Sequence, residues 1–158
     1  MAQAMERGGG SDAIDLILED HRRVDELFDR FEALTDTVDS AEKRELATQM
    51  LRELSVHASI EEQIFYPAVR ERLPQGDEIV GESLDEHRAV KELLAAIEDT
   101  DPADPKFDER VTMLIREVRH HVEEEERDIL PALRAQLDDD PVREMGAAML
   151  RAKEDIAG

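Results

Sequence analysis

Hydrophobic residues recur along most of the chain at intervals of three and four, the spacing of one face of an α-helix. Polar stretches, several with proline or glycine, separate the segments that carry this pattern. The pattern and its caps predict five helices: residues 12–34 with Ser11 as cap, Ser40 to about Arg72, a third ending near Asp99, Pro105 to about Leu137, and a last one starting at Asp140-Pro141. We therefore predict an all-α fold, an up-down-up-down four-helix bundle with a short C-terminal fifth helix.

The two halves of the chain repeat each other. The segment around His21 matches the segment around His87, and the segment around His57 matches the one around His121. In both copies of the second segment a proline follows the histidine ten residues later, and each is expected to kink its helix: Pro67 and Pro131. One helical hairpin is used twice, and such pseudo-symmetry places a shared site on its axis.

Four of the five histidines lie one per predicted helix, each in phase with the apolar stripe of its own helix: His21, His57, His87 and His121. Two of them are followed by a glutamate four residues later, Glu61 and Glu125. Four residues turn a helix by about 400°, so each histidine shares a face with its glutamate. The pattern predicts four imidazoles and two carboxylates at one level of the core.

Two ionised glutamates buried at that level would cost several kcal/mol each without a counter-charge. No lysine or arginine is in phase with the stripes there. A pair of metal ions would balance the charge, and imidazole with carboxylate and no thiolate favours iron, ahead of manganese or zinc. Six protein ligands for two ions leave coordination positions open, which favours small-molecule binding or chemistry over a closed structural site.

Other interpretations of these residues are open. A lone histidine on an apolar stripe is more often a hydrogen-bonded core residue than a ligand, and the metal-free alternative is a structural polar layer. A ferritin-like site needs two Glu-x-x-His motifs, and only Glu117-Val118-Arg119-His120 has that spacing, out of phase with the stripe. His120 is rotated by about 100° from His121 and is expected at the surface. The rest of the Glu123–Glu126 run is expected to be a solvated face.

Charge and composition narrow the function further. The 158 residues include 20 Lys and Arg against 41 Asp and Glu, a formal charge of −21, and no cysteine. A field of this sign repels phosphates and anionic lipids, so nucleic-acid and membrane partners are not expected, whereas cations are favoured. The lack of cysteine excludes disulfides, thiolate metal sites and cysteine nucleophiles. With no apolar stretch of signal-peptide or membrane-span length, a cytoplasmic location is expected.

The ordered set of four histidines and two His-x-x-x-Glu pairs resembles the hemerythrin HHE cation-binding domain. The resemblance covers about residues 12–137 and divides the chain into a flexible N-terminus (1–10), an HHE domain (11–137) and a C-terminal helical extension (138–158). It implies a non-haem di-iron centre, oxo- or hydroxo-bridged, in which Glu61 and Glu125 bridge the irons and the four histidines are terminal ligands.

The third helix departs from the invertebrate oxygen carriers of this family, which have a His-x-x-x-His pair there. The positions four residues either side of His87 are Ser83 and Lys91, so the fifth histidine ligand is missing. This difference weighs against reversible oxygen carriage.

Three segments are similar to the hemerythrin-like proteins of actinobacteria: 64–68, 125–132 and 144–146. That subgroup implies catalase-like consumption of hydrogen peroxide, with Tyr66 on the metal or next to it. On a regular helix Tyr66 lies about 180° from His57, so the kink at Pro67 would have to turn it inward. The alternative is an amphipathic tyrosine at the edge of the bundle.

Two hypotheses of function follow from these residues. The first is a di-iron protein that turns over hydrogen peroxide by catalase- or peroxidase-like chemistry, with oxygen and nitric oxide as other ligands. The alternative is a non-enzymatic module that binds or senses oxygen, nitric oxide or iron. In either case a monomer or weak homo-oligomer is expected.

Overall fold

A computed structural model describes residues 12–34 and 39–157, which are helical apart from short connections. The segments are α1 (Ala13–Glu32), α2 (Ser40–Ile60), π1 (Glu61–Phe65), α3 (Tyr66–Arg72), α4 (Gly76–Glu98), α5 (Pro105–Glu124), π2 (Glu125–Ile129), α6 (Leu130–Gln136) and α7 (Asp139–Ala157). The segments α2, π1 and α3 follow one another without a break and form one long rod, and so do α5, π2 and α6. The predicted four-helix bundle with a C-terminal fifth helix is confirmed.

Aspartates one residue away from two of the predicted caps begin the first two helices. Asp12 is the N-cap of α1, whereas Ser11 and the predicted flexible segment 1–10 lie outside the described residues. Asp39 caps α2, and Ser40 is the first residue of the helix. A carboxylate accepts the free backbone N–H groups as a serine does and adds a negative charge at the positive end of the helix dipole.

The apolar core of the bundle is divided into two clusters. One contains Ile14 and Ile17 of α1, and the other contains Val24 and Phe28 of the same helix, with His21 between them. The long rods and α4 show the same order of apolar cluster, buried polar residue and apolar cluster. A polar layer therefore crosses the bundle with apolar packing on both sides.

The two rods are distorted immediately before their prolines. In π1 the backbone N–H of Tyr66 bonds to the carbonyl of Glu61, and in π2 that of Leu130 bonds to Glu125, five residues back in each case. Single π-turns of this kind are rare inside α-helices and are frequent at functional sites. The kink expected at each proline thus takes the form of a π-turn that begins at the glutamate of each His-x-x-x-Glu pair.

The fifth helix, α7, packs against α1, α2 and π1. Its inward face includes Val142, Gly146 and Met149, all buried. Within the extension predicted for residues 138–158, α7 is thus one helix that packs on the first half of the bundle, up to the π-turn. No helix in the described ranges is long and apolar enough to cross a membrane.

We predict opposite effects for alanine at two glycines of α4. A Cβ at Gly76 would lie 2.5 Å from the carbonyl oxygen of Val69 and 2.7 Å from Cα of Arg70, whereas one at Gly81 meets no atom within 4 Å. Gly76→Ala should lower the free energy of unfolding by about 1–3 kcal/mol through overpacking. Gly81→Ala should raise it by about 0.5–1 kcal/mol, because alanine favours the helix. Urea unfolding of both variants checks this, and equal effects would contradict it.

Candidate metal centre

Four histidines from four helices meet in the polar layer. His21 comes from α1, His57 from α2, His87 from α4 and His121 from α5, and all four are buried. Their rings form two pairs, with centroids 5.2 Å apart for His21 and His57 and 5.0 Å apart for His87 and His121. The structure brings together the four histidines that the apolar stripes singled out.

The carboxylate of Glu61 lies between the two histidine pairs. Its side chain is 0% exposed; Oε2 lies 3.2 Å from Nε2 of His57, and Oε1 lies 3.1 Å from Nε2 of His87. One carboxylate thus faces one imidazole of each pair, which is the placement that a ligand shared by two ions requires.

Glu125 makes the matching contacts from the other rod. Its Oε1 lies 3.0 Å from Nε2 of His21 and its Oε2 lies 3.4 Å from Nε2 of His121. Several of these short contacts have angles that do not meet hydrogen-bond geometry. Four buried atoms of the layer consequently lack a hydrogen-bond partner within the described residues: Nε2 of His21, Nε2 of His57, Oε2 of Glu61 and Oε1 of Glu125.

The outward nitrogen of each imidazole is paired with a carboxylate from a different helical segment. We name these four acids the carboxylate ring: Nδ1 of His21 pairs with Glu126 at 2.7 Å, His57 with Asp20 at 2.9 Å, His87 with Glu62 at 2.8 Å and His121 with Glu86 at 2.5 Å. Since Nδ1–H donates to the carboxylate, Nε2 of every ring faces into the layer, where it can bind either a proton or a metal ion.

Sequence reasoning missed the carboxylate ring, although the repeat contains a signal for it. An acid directly precedes the histidine in both first segments, Asp20 and Glu86, and directly follows the glutamate in both second segments, Glu62 and Glu126. The expectation that Glu126 belongs to a solvated face is wrong in this respect. Its side chain is 40% exposed, but it is bonded to a buried imidazole.

Three basic side chains contact the carboxylate ring. Asp20 bonds to Arg23 at 2.6 Å and to Lys153 of α7 at 2.7 Å, and Glu62 lies 3.3 Å from Lys91. Burial raises the pKa of Asp20, but the hydrogen bond from His57 and the bonds from Lys153 and Arg23 outweigh it and hold the pKa below its usual value. Among the described residues no lysine or arginine forms an ion pair with Glu61 or Glu125 themselves.

Tyr66 lies on the inner face of its rod because of π1. On a regular helix it would lie opposite His57, and Pro67 was expected to be what turns it. In the π-turn the residue five positions on completes one turn, so Tyr66 follows Glu61 on the same face. An unrecognised π-turn is therefore the reason why regular helical arithmetic pointed away from the site.

The hydroxyl of Tyr66 lies within the layer, beside the second histidine pair. It is 3.1 Å from Glu61, 3.3 Å from Glu125, 3.0 Å from Nε2 of His87 and 3.4 Å from Nε2 of His121. Burial, and then the two carboxylates, raise the pKa of Tyr66 above its usual value. In the metal-free protein the tyrosine is thus a neutral phenol whose proton is available to either glutamate.

The remaining candidates lie away from the layer or at its edge. His120 is exposed, with 62% of its side chain accessible, and it contacts Glu124. Ser83 is buried, while Lys91 is directed to Glu62. Neither position flanking His87 supplies a further ligand of the histidine type.

Protons hold the charges of the layer in the metal-free protein. Burial lowers the pKa of His57, but the negative charge of Glu61 and the bond to Asp20 outweigh it and raise the pKa to about 10. Burial acts on His121 in the same direction, and its bonds to Glu125 and Glu86 raise the pKa to about 11. Two imidazolium groups therefore lie beside the two buried glutamates at neutral pH.

A small cavity adjoins the four imidazoles. Its volume is about 40 Å³, and seven of its lining residues are aliphatic: Val24, Leu54, Ala58, Val90, Leu94, Val118 and Val122. This is room for about two or three water-sized molecules. The arrangement therefore combines inward-facing metal-binding atoms with an apolar space that admits only small molecules.

Comparison with known proteins identifies the class to which this site belongs. Residues 12–133 match the family described as Hemerythrin HHE cation binding domain. The chain therefore belongs to the hemerythrin HHE cation-binding domain family, with its histidines and glutamates in clusters that are candidates for metal ligation.

The chain is also similar to individual proteins of known structure or sequence. The chain resembles the crystal structure of an HHE domain-containing protein, the Rv2633c homologue of Mycobacterium kansasii, with a TM-score of 0.79, 25% identity, and coverage of 92% of this chain and 86% of that one. It is 32% identical to the uncharacterised Rv2633c of Mycobacterium tuberculosis, over 77% of this chain and 73% of that protein. It is also 32% identical to a Nostoc protein named DNA nickase, over 90% of this chain, and it spans only 39% of that protein's length.

The two raised histidine pKa values predict how stability of the metal-free protein varies with pH. Since the pKa values rise from 6.5 to about 10 and about 11 on folding, the bound protons stabilise the folded state fully below pH 6.5. That stabilisation should be lost as the pH rises through 10 and 11. Thermal unfolding of chelator-treated protein between pH 6 and 11 checks the fall. His120→Ala should follow the wild-type curve, and a Tm that rises over this range would contradict the prediction.

Proposed function

We propose that this chain is a non-haem di-iron protein that decomposes hydrogen peroxide. In this proposal His21 and His57 hold one iron, His87 and His121 hold the other, and Glu61 and Glu125 are shared between them. Cytoplasmic action on small molecules, without a nucleic-acid or membrane partner and as a monomer or weak homo-oligomer, belongs to the same proposal.

The observation that carries the proposal is a set of four buried atoms, all able to bind a metal, that have no hydrogen-bond partner in the described part of the chain. Two imidazole nitrogens and two carboxylate oxygens are buried without a hydrogen-bond partner in the described residues, and all four belong to the proposed ligands. Leaving such atoms unpaired is costly unless something binds them. The ligand atoms within each of two groups lie within 4.8 Å of one another: His21, His57, Glu61 and Glu125, and Glu61, His87 and His121.

The donor set also supports the choice of metal. Neutral imidazole and carboxylate suit iron, with manganese or zinc less favoured, and there is no thiolate in the chain. Two bound irons would supply the two-electron redox capacity that converts two hydrogen peroxide molecules to oxygen and two waters. The carboxylate ring fixes the orientation of each imidazole, which is the usual task of such acids at metal sites.

The protein controls which molecules reach this site. The cavity of about 40 Å³ beside the imidazoles fits hydrogen peroxide, oxygen or nitric oxide and excludes bulky substrates. Its aliphatic walls keep out bulk water, so polar groups in the layer act more strongly than they would in solution.

Tyr66 is the proposed catalytic residue. Its hydroxyl lies 3.1 Å from Glu61 and 3.3 Å from Glu125, beside the imidazoles of the second histidine pair. In this place it serves either as an additional oxygen ligand or as a proton donor to the shared carboxylates. The absorption spectrum of iron-loaded Tyr66→Phe separates these roles, since only a tyrosine ligand gives a phenolate-to-iron band that the variant loses.

The alternative function is a non-enzymatic module that binds or senses oxygen, nitric oxide or iron. The same ligands and the same cavity support it, because a closed apolar space also suits reversible binding. Stopped-flow spectra distinguish the two, since a binding module forms a reversible adduct without consuming peroxide.

We predict that the chain binds two iron ions and that the iron stabilises the fold. Binding to the folded state alone adds about 2.7 kcal/mol when free metal is 100 times the dissociation constant. Metal analysis should give two irons per chain, and chelation should lower the Tm. His57→Ala should lose iron, whereas His120→Ala, which removes an exposed imidazole, should keep both. Unchanged Tm after chelation, with no stoichiometric iron in the protein, would support the structural polar layer instead.

We also predict that iron-loaded protein evolves oxygen from hydrogen peroxide faster than the same amount of free iron. Substituting His57 removes a proposed ligand, and the rate should fall by about 10- to 100-fold or more in His57→Ala. His120→Ala is the matched control and should retain the wild-type rate. The enzymatic proposal fails if oxygen evolution does not exceed that of free iron and is the same in His57→Ala.

A further inference from the structure

The two halves of the metal centre differ in the residues behind their ligands. Tyr66 follows π1, whereas the matching position after π2 is Leu130. Arg23, two residues after His21, has Ala89 as its counterpart in the second half. The backbone repeat is therefore nearly symmetrical, while its chemistry is not.

The largest difference concerns the carboxylates that bond to His57 and His121. Asp20, behind His57, contacts two cations, Arg23 at 2.6 Å and Lys153 at 2.7 Å. Within residues 12–34 and 39–157, no lysine or arginine forms an ion pair with Glu86, which lies behind His121. Glu86 instead lies close to another acid, Glu124, with carboxylate oxygens of the two within 4.8 Å of each other.

One of the two cations on Asp20, Lys153, comes from outside the repeated hairpins. Lys153 belongs to α7, which packs on α1, α2 and π1, the first half of the bundle. Its ammonium group bonds Oδ1 of Asp20, and Oδ2 of the same carboxylate bonds Nδ1 of His57 at 2.9 Å. The fifth helix is thus connected to one proposed ligand through a single carboxylate.

We propose that Lys153 is a positioning residue that makes the two metal positions inequivalent, so that the position of His21 and His57 accepts the first electron when the centre is reduced. This inference rests on the proposed di-iron function.

The physical basis is the sign and amount of charge that lies behind each proposed ligand. A carboxylate on Nδ1 makes an imidazole a stronger donor, and a cation bound to that carboxylate reduces the effect. A positive charge near a metal also favours the state with one more electron, and the effect is strong where burial keeps the dielectric low. Lys153 and Arg23 both contact Asp20 behind the first position, whereas the second has one cation within the described residues, Lys91 on Glu62 at 3.3 Å, together with the acidic Glu86–Glu124 pair and the Tyr66 oxygen.

The test is a redox titration of wild type and three variants, each loaded with two irons in the Fe(III) state. An external one-electron reductant converts one Fe(III) to Fe(II). Lys153→Met should shift the first midpoint potential to lower values, while Lys153→Arg should restore the wild-type potential. Arg151→Met removes one positive charge from the exposed face of the same helix and should leave the potential unchanged.

A spectroscopic readout accompanies the potentials. In the half-reduced wild-type protein, electron paramagnetic resonance should give one signal from a localised Fe(II)–Fe(III) pair. Lys153→Met should alter this signal or add a second one, because the preference between the two positions decreases. Circular dichroism and iron content confirm that each variant is folded and loaded. Should Lys153→Met fail to fold or to bind iron, Lys153→Gln against Lys153→Arg makes the same comparison of neutral with cationic side chains.

Equal first potentials and identical signals in wild type, the neutral variants at position 153 and Arg151→Met would overturn the inference. That result leaves the di-iron proposal standing, since all of these proteins would contain two irons. A wild-type protein without stoichiometric iron contradicts the proposed function itself, and the inference with it.

Discussion

The burial of Glu61 and Glu125 is the constraint on which the rest of the structure depends. Both carboxylates are 0% exposed in the middle of a helical bundle, where an uncompensated charge costs several kcal/mol. Four imidazoles surround them, two of which keep protons well above neutral pH in the metal-free protein. The apolar clusters on either side of the layer hold these groups together and keep bulk water away. In the proposed function, metal cations would replace these protons in the same place.

The π-turns explain how a repeated helical hairpin presents so many groups at one level. Each turn begins at a buried glutamate and ends before a Tyr-Pro or Leu-Pro step. The extra residue in the turn changes the face of everything that follows, which brings Tyr66 inward and buries Leu130 in the matching place. A local departure from regular helical geometry thus supplies the only tyrosine of the chain to the site.

The fold and the inner residues of the site could be predicted from the sequence, whereas the side-chain contacts around these residues could not. The periodicity of apolar residues predicted the helices. The position of His21 or His57 within the apolar stripe of its helix was sufficient to predict that its side chain faces inward. The carboxylate ring was missed because an acid beside a histidine on a helix with many acids looks like solvated surface, and Glu126 is indeed partly exposed. Tyr66 depended on a π-turn that regular periodicity does not contain. Lys153 reaches Asp20 only through tertiary packing, from 133 positions away in the chain.

The order of the carboxylate ring bears on how the protein is made. His21 is near the start of the chain, yet the acid that orients it, Glu126, follows 105 positions later. A chain still emerging from the ribosome has the first hairpin, with two imidazoles and one glutamate of the layer, long before it has the other groups. The full set of inward-facing atoms exists only after the residues up to Glu126 have been synthesised and the last long rod has docked. If the proposed function holds, metal binding would therefore follow the docking of the second rod, because shorter chains do not contain the same set of ligands.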